Sequence, residues 1–341
     1  MGKLGSDFEK EFSVPDRNID SKMSPETEQT MKDLFKEDFD GHETQKTDVF
    51  PSDINPVLEM KSLFSDDYSQ KTEGSDNIVA NETEQRWAVE FTKQYEPNSR
   101  FEVDGKSYNT DDRGYIYKID GYELLPSSEY TIDGVSYNTD DHARIVSCDG
   151  RARLTPEGER DLKAQNMAGG DDRKPGDQGC HILARIFGGA KGIENMLAMR
   201  GAAINQSVYK RMENEIAKAL NEGKEVDVHA DVKYEGDSLR PSKITVKYTI
   251  DGKDTVVQFD NEEGSADLVD SLEGVIEDND INDLKQEIQD ANEDGAKISV
   301  VSVKIVYDAE GDIEKVTVTR RIDNSERPEN KDRHFTLKEE A

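Results

Sequence analysis

The chain has 341 residues, of which 33% are hydrophobic and 35% charged, with a formal net charge of −31. That is too polar for one core running its whole length. At about 100–200 residues per domain there is room for two or three. No apolar stretch approaches the roughly 20 residues of a membrane helix, and the N-terminus shows no Sec-type signal.

Residues 1–86 carry 10 Lys and Arg against 21 Asp and Glu. Without sustained periodicity, they are expected to form a disordered acidic leader or linker. Order is expected from Trp87, and residues 87–148 read as a β-repeat region. Asp104-Gly-Lys-Ser-Tyr-Asn-Thr-Asp-Asp112 returns 29 residues later as Asp133-Gly-Val-Ser-Tyr-Asn-Thr-Asp-Asp141. Each Asp-Gly pair predicts a hairpin turn. Turn chemistry accounts for the Asp-Asp pairs more cheaply than calcium does.

Residues 149–262 hold the chemistry. The stretch 151–250 carries 17 basic against 15 acidic side chains, so the acid belongs to the flanks. Gly176-Asp177-Gln178-Gly179-Cys180-His181 sets a histidine after a glycine-containing turn and before the apolar run Ile182-Leu183-Ala184. If that run is a strand, His181 and Arg185 share a face, and Arg185 can hold a phosphate oxygen. Histidine suits a general base because its pKa lies near neutrality. Asn205 offers an amide oxygen to Mg²⁺, a hard cation that keeps most of its waters, and Glu213 a supporting carboxylate. On an α-helix these two lie about 80° apart and about 12 Å along the axis. Taken singly, His181 reads equally as a strand residue, Asn205 as a helix N-cap and Glu213 as a solvated helix residue. His142 and His229 have no adjacent partner in sequence. Cys148 and Cys180 make neither a disulfide framework nor a zinc site, and a single bridge between them stays open.

Residues 263–341 read as an acidic helix-hairpin module. Glu215-Ile216, Ala219, Gly223, Val226 and Lys243-Ile-Thr-Val246 return 72 residues on as Glu287-Ile288, Ala291, Gly295, Ile298 and Lys315-Val-Thr-Val318. Asn205 and Glu213 fall there on Glu277 and Lys285. The copy therefore reads as a degenerate duplication, serving as cover or partner surface.

Asp177-Gln-Gly-Cys-His181, Phe187-Gly-Gly189, Glu194-Asn195, Asn205-Gln206 and Tyr209-Lys-Arg-Met-Glu213 together resemble the DNA/RNA non-specific endonuclease family of ββα-metal fold. The likeness is to its toxin-associated branch in bacterial polymorphic toxins, and it covers roughly residues 100–260. The resemblance implies that His181 is the general base, Asn205 the ligand of Mg²⁺ (Mn²⁺ as the alternative) and Glu213 its companion. Gln178 stands where the wider family has Arg, leaving Arg185 or Arg173 as the phosphate clamp.

The expectation is an α+β chain: a disordered N-terminus, upstream β-repeat units, a ββα-metal nuclease core and a C-terminal helix-hairpin module. Its expected activity is metal-dependent, sequence-non-specific hydrolysis of DNA or RNA. The resemblance further implies a toxin with a cognate immunity protein, released without a classical signal peptide and acting in the target cell cytoplasm. The acidic flanks would shield the core, so that cutting to residues 87–262 raises activity. The rival reading is a catalytically decayed binding protein whose acidic duplicated module takes a basic partner.

Overall fold

Alternating apolar residues and Asp-Gly turns build most of this molecule. The computed structural model describes residues 89–156, 160–262, 267–293, 297–323, 328–335 and 337, all within the unit Phe50–Ala341. The expected leader 1–86 and Trp87 lie outside the described residues. The architecture is mixed α/β, mostly sheet with few helices.

Strands β1 (Arg100–Val103), β2 (Lys106–Thr110), β3 (Ile116–Ile119) and β4 (Glu123–Leu124) form a four-stranded antiparallel sheet. β5 (Glu129–Ile132), β6 (Val135–Thr139) and β7 (Ile145–Ala152) begin a second sheet. Asp104-Gly105 and Asp133-Gly134 all have positive φ, which is what a two-residue hairpin turn requires. Asp111 Oδ1 accepts from the N–H groups of Arg113 and Tyr115, and Asp140 Oδ1 from those of His142 and Arg144. These carboxylates close turns.

The short helix α1 (Leu162–Met167) follows, capped by Asp161, whose Oδ1 accepts from Ala164 N at 2.9 Å. β8 (Asp177–His181) pairs antiparallel with β9 (Met196–Arg200). The chain then enters a π-helical segment, Gly201–Tyr209, continuous with α2 (Lys210–Asn221). β10 (Val226–Tyr234), β11 (Pro241–Ile250) and β12 (Lys253–Asp260) extend the second sheet. After α3 (Asp267–Asp270) and α4 (Asp278–Glu293), β13 (Lys297–Tyr307), β14 (Ile313–Asp323) and β15 (Glu329–Phe335) complete it.

The nine strands run in the order β15-β14-β13-β12-β11-β10-β7-β6-β5, all antiparallel. Their pairing passes residues 148/149 and 262/263 without a break. One cross-strand row reads Tyr130, Tyr137, Cys148, Ala230, Val246, Val257, Lys304, Thr317, His334. Its first six members are buried, and the row turns polar at β13. The buried stripe Val208, Met212, Ile216 and Ala219 is the core side of the helix. Beyond it, Lys304, Thr317 and His334 line a cleft of about 190 Å³ with Arg211 and Glu215. That cleft holds none of His181, Asn205 and Glu213. On the opposite face of β13–β15, Val303, Val316 and Val318 join Leu268, Leu272, Ile281 and Leu284 in a second core under α3 and α4.

Candidate active site

β8 brings its histidine in through close backbone packing. A Cβ on Gly179 would fall 2.1 Å from the carbonyl oxygen of Gln165, so only glycine lets α1 lie this near the strand. Asp177 is anchored by Arg240, whose Nε and Nη2 donate to its two carboxylate oxygens at 2.6 and 3.1 Å. Both side chains are 2% exposed. Arg240 also donates to Glu262 Oε1 at 2.7 Å. Breaking a buried pair of this kind typically costs about 3–5 kcal/mol.

The strand ends at His181. Ile182-Leu183-Ala184, for which the sequence left a strand open, turns, and Arg185–Phe187 forms a 3₁₀ helix. The cause is Asn195, fully buried. Its Oδ1 accepts from the N–H groups of Ile182 and Leu183, and its Nδ2 donates to the carbonyls of Leu183 and Ala190. With both donors and both lone pairs used, this amide replaces the ladder a strand would have made. Neighbouring Glu194 takes Lys118 Nζ at 2.7 Å, both buried, while the Tyr130 hydroxyl donates to the Glu194 carbonyl. The loop that follows the histidine thus rests on the upstream strands, a support that no motif announced.

His181 is half-buried, with Nε2 3.4 Å from the Lys191 carbonyl oxygen. Loss of water around the imidazole pushes it down to about 4, helped by the positive charge of Arg185 and, more weakly, of Arg160. Arg185 therefore does stand beside His181, brought there by the turn. Arg160, missed in sequence because nothing periodic marks it, adds to the same cationic surroundings. Arg173 is not a phosphate clamp: its guanidinium donates to the carbonyls of Gln165, Asn166 and Asp177.

Asn205 and Glu213 are both half-buried on the one continuous helix. Asn205 is no N-cap, because the helix begins four residues earlier. A helix closed by i→i+5 bonds turns less per residue than the about 100° of an α-helix, so the π segment shrinks the 80° separation expected for the pair. Asn205 Nδ2 donates to Gln178 Oε1 at 2.7 Å, so Oδ1 is the end of the amide that could take a cation. One amide oxygen, with the Glu213 carboxylate further along the helix to act on bound water, is a ligation that a hard cation could take. Tyr209, four residues from each of them, opens one of the quoted motifs but had no role assigned to it from sequence. Its hydroxyl donates to the Ile182 carbonyl at 2.5 Å, and its ring packs on Phe259 with centroids 5.0 Å apart.

His142 and His229 have carboxylate neighbours after all. His142 lies between Asp141 and Asp237, and His229 between Asp149 and Asp231. Cys148 and Cys180 are buried and not joined in a disulfide, and burial pushes the Cys148 thiol up to about 12.

Residues 126–252 match the family model described as DNA/RNA non-specific endonuclease. The chain carries a DNA/RNA non-specific endonuclease domain. That span contains the β8–β9 pair and the helix with Asn205 and Glu213. Over 103 residues the chain is 41% identical to the type VII secretion system protein EssD of Staphylococcus aureus strain USA300, and equally to that of strain NCTC 8325 / PS 47. Each match takes in 28% of this chain and 17% of the relative, so the chain spans about a sixth of the curated relatives it matches. The crystal structure of NucA from Streptococcus agalactiae with magnesium ion bound is similar at a TM-score of 0.30 and 14% identity, covering 48% of this chain and 84% of that one.

Proposed function

We propose that the chain is a Mg²⁺-dependent, sequence-non-specific endonuclease acting on DNA, RNA or both, with β8, β9 and the helix 201–221 as a ββα-metal core. The observation that carries this reading is the Tyr209–Ile182 hydrogen bond. It fastens the helix bearing Asn205 and Glu213 to the backbone beside His181, so base and ligand are held by one frame. At neutral pH His181 is uncharged. With its Nε2 hydrogen directed to the Lys191 carbonyl, Nδ1 presents the lone pair that takes a proton from the attacking water. Arg185 holds a phosphate oxygen next to it. Asn205 Oδ1 would hold the ion, Mg²⁺ or in its place Mn²⁺, with Glu213 facing its hydration shell. When bound, the ion supplies charge stabilisation to the crowded phosphorane and to the departing 3′-oxygen. Contacts to backbone phosphate carry no base information, which accounts for weak sequence preference.

Residues 149–262 carry the chemistry in this reading, between the leader 1–86 with the β-repeat region 87–148 and the degenerate helix-hairpin copy 263–341. Helix 278–293 and strands 297–307 and 313–323 follow helix 210–221 and strands 226–234 and 241–250 at an offset close to 72, which supports the duplication. The likeness to a type VII secretion system protein supports a toxin effector exported without a Sec-type signal, acting in a target cell cytoplasm and held by a cognate immunity protein.

The test is plasmid and RNA cleavage by the purified chain with Mg²⁺, with EDTA, and by His181→Ala. Cutting that needs the metal and falls by at least about 10²-fold in the variant is expected. Undiminished cutting by the variant would place the chemistry elsewhere.

A further inference from the structure

Asn205 has two ends of nearly the same shape, and only one of them can bind a cation. Rotating the side-chain amide by half a turn exchanges Oδ1 for Nδ2, an acceptor for a donor, at almost no steric cost. Some neighbour must decide between the two. Gln178 has the chemistry and the placement to do so. It lies on β8, opposite Met199 of β9, and its Oε1 receives the Asn205 Nδ2 hydrogen at 2.7 Å. Room for that reach is made by Gly201, at the start of the helix. A Cβ there would come within 2.8 Å of Gln178 Cδ and 2.9 Å of Cγ, and within 2.7 Å of the Gly176 carbonyl oxygen. Gly201 N also donates to that carbonyl at 3.0 Å, which pins the helix start against the turn before β8. The Gln178 side chain therefore lies across the bare first residue of the helix and meets the asparagine one turn on.

We infer that Gln178 is a positioning residue that commits the Asn205 amide to present its oxygen to the cation. The inference rests on the proposal that Asn205 is the metal ligand. The physical reasoning is that the Gln178 carbonyl accepts from Nδ2; reversing both amides together would keep a hydrogen bond, an exchange that Gln178→Glu, an acceptor at both oxygens, forbids. Were the Asn205 amide alone reversed, Oδ1 would face that carbonyl, acceptor to acceptor. Buried or half-buried amides avoid that arrangement because it leaves a donor unpaired. A neighbour that fixes a ligand's orientation raises the site's affinity without touching the ion, and losing it typically costs about 10–100-fold in binding.

The experiment measures Mn²⁺ binding by electron paramagnetic resonance and Mg²⁺ binding by calorimetry, on the full chain without nucleic acid. Five proteins are compared: wild type, Gln178→Met, Gln178→Glu, Asn205→Ala and His181→Ala. Gln178→Met keeps the length and loses the acceptor, and it is expected to weaken the ion about tenfold or more. Gln178→Glu keeps an acceptor at the same place and is expected to bind within a few-fold of wild type. Asn205→Ala should lose binding, and His181→Ala should keep it.

If Asn205→Ala binds the ion as wild type does, the ligand assignment fails and takes this inference with it. If Asn205→Ala loses the ion but Gln178→Met does not, the ligand stands and Gln178 is overturned alone. Equal weakening by Met and Glu also overturns it, since a packing role would not separate the two. A measurement on the wild-type chain covers the case of a variant that does not fold: the Asn205 side-chain NH₂ resonances. One Nδ2 proton shifted and protected from exchange, and unchanged on adding Mg²⁺, is expected. An NH₂ group exchanging as a solvent-exposed amide contradicts the inference.

Discussion

An imidazole pushed down to about 4 stores no proton at neutral pH and is ready to accept one. The cause is local: His181 sits half-buried at a strand end with Arg185 and Arg160 nearby, so a second positive charge there is unwelcome. Two consequences follow at this scale. The acid limb of kcat/KM for the free enzyme should fall near pH 4 and not near the about 6.5 of an unperturbed histidine. A limb at 6.5 or above, measured with saturating metal, would contradict the burial of the ring. Stability moves with the same shift. The folded value lies below the unfolded one, so the unfolded chain takes the proton first as pH falls. The contribution is full above about pH 6.5 and is lost toward pH 4. His181→Gln should therefore lose less Tm than wild type between those pH values. The residue types of the site were legible in sequence because chemistry names them. The pKa was not, because it depends on what surrounds the ring.

Among the elements, the helix from Gly201 to Asn221 shows how local pattern and tertiary contact divide the work. Its buried stripe Val208, Met212, Ile216 and Ala219 follows from spacing alone. Its π-helical first half does not. Asn330 of β15 donates to the carbonyl of Ala203 and the hydroxyl of Ser207, and the Tyr209 hydroxyl bonds the Ile182 carbonyl. These contacts come from 27 to 127 residues away, so no window of sequence reports them. Tyr209→Phe tests the tether. Removing the hydroxyl leaves the buried Ile182 carbonyl without this donor, a loss of about 1–3 kcal/mol in chemical denaturation. It also releases the backbone beside His181 from the helix. The expected kinetic result is a fall in kcat of about tenfold or more with KM changed little, since a small misplacement of a base is costly. An unchanged kcat would show that the strand pairing alone positions His181.

For the whole molecule, the nine-stranded sheet draws strands from both sides of the boundaries that composition suggested. The acidic C-terminal residues supply β13–β15, of which β13 pairs directly with β12, and they hold the helix through Arg211–Asp332 and Lys304–Glu215. Cutting the chain to residues 87–262 was expected from charge alone to raise activity. With the strand pairing known, the opposite is expected: the cut bares the β12 edge and releases Arg211 and Glu215 from their partners. Such a truncation should melt at lower temperature, lose cooperativity and cut nucleic acid less well. A truncated chain of unchanged Tm and raised activity would restore the shielding idea.

By itself the sequence determined the order His181, Asn205, Glu213, the Asp-Gly hairpins and the apolar stripe of the helix. Each of these is written in neighbouring residues, in turn chemistry or in a short period. Only the tertiary structure decided that Ile182-Leu183-Ala184 turns and does not extend, because the Asn195 amide takes its backbone groups. It decided as well that Arg173 is spent on carbonyls, that Lys118 props Glu194, and that Arg240 anchors Asp177. Lys118 and Glu194, and Arg240 and Asp177, lie 76 and 63 residues apart along the chain and meet in buried contacts, while Arg173 and Asn195 each spread several bonds over nearby backbone. Such contacts repeat with no period, and so leave no pattern to be read before the chain is folded.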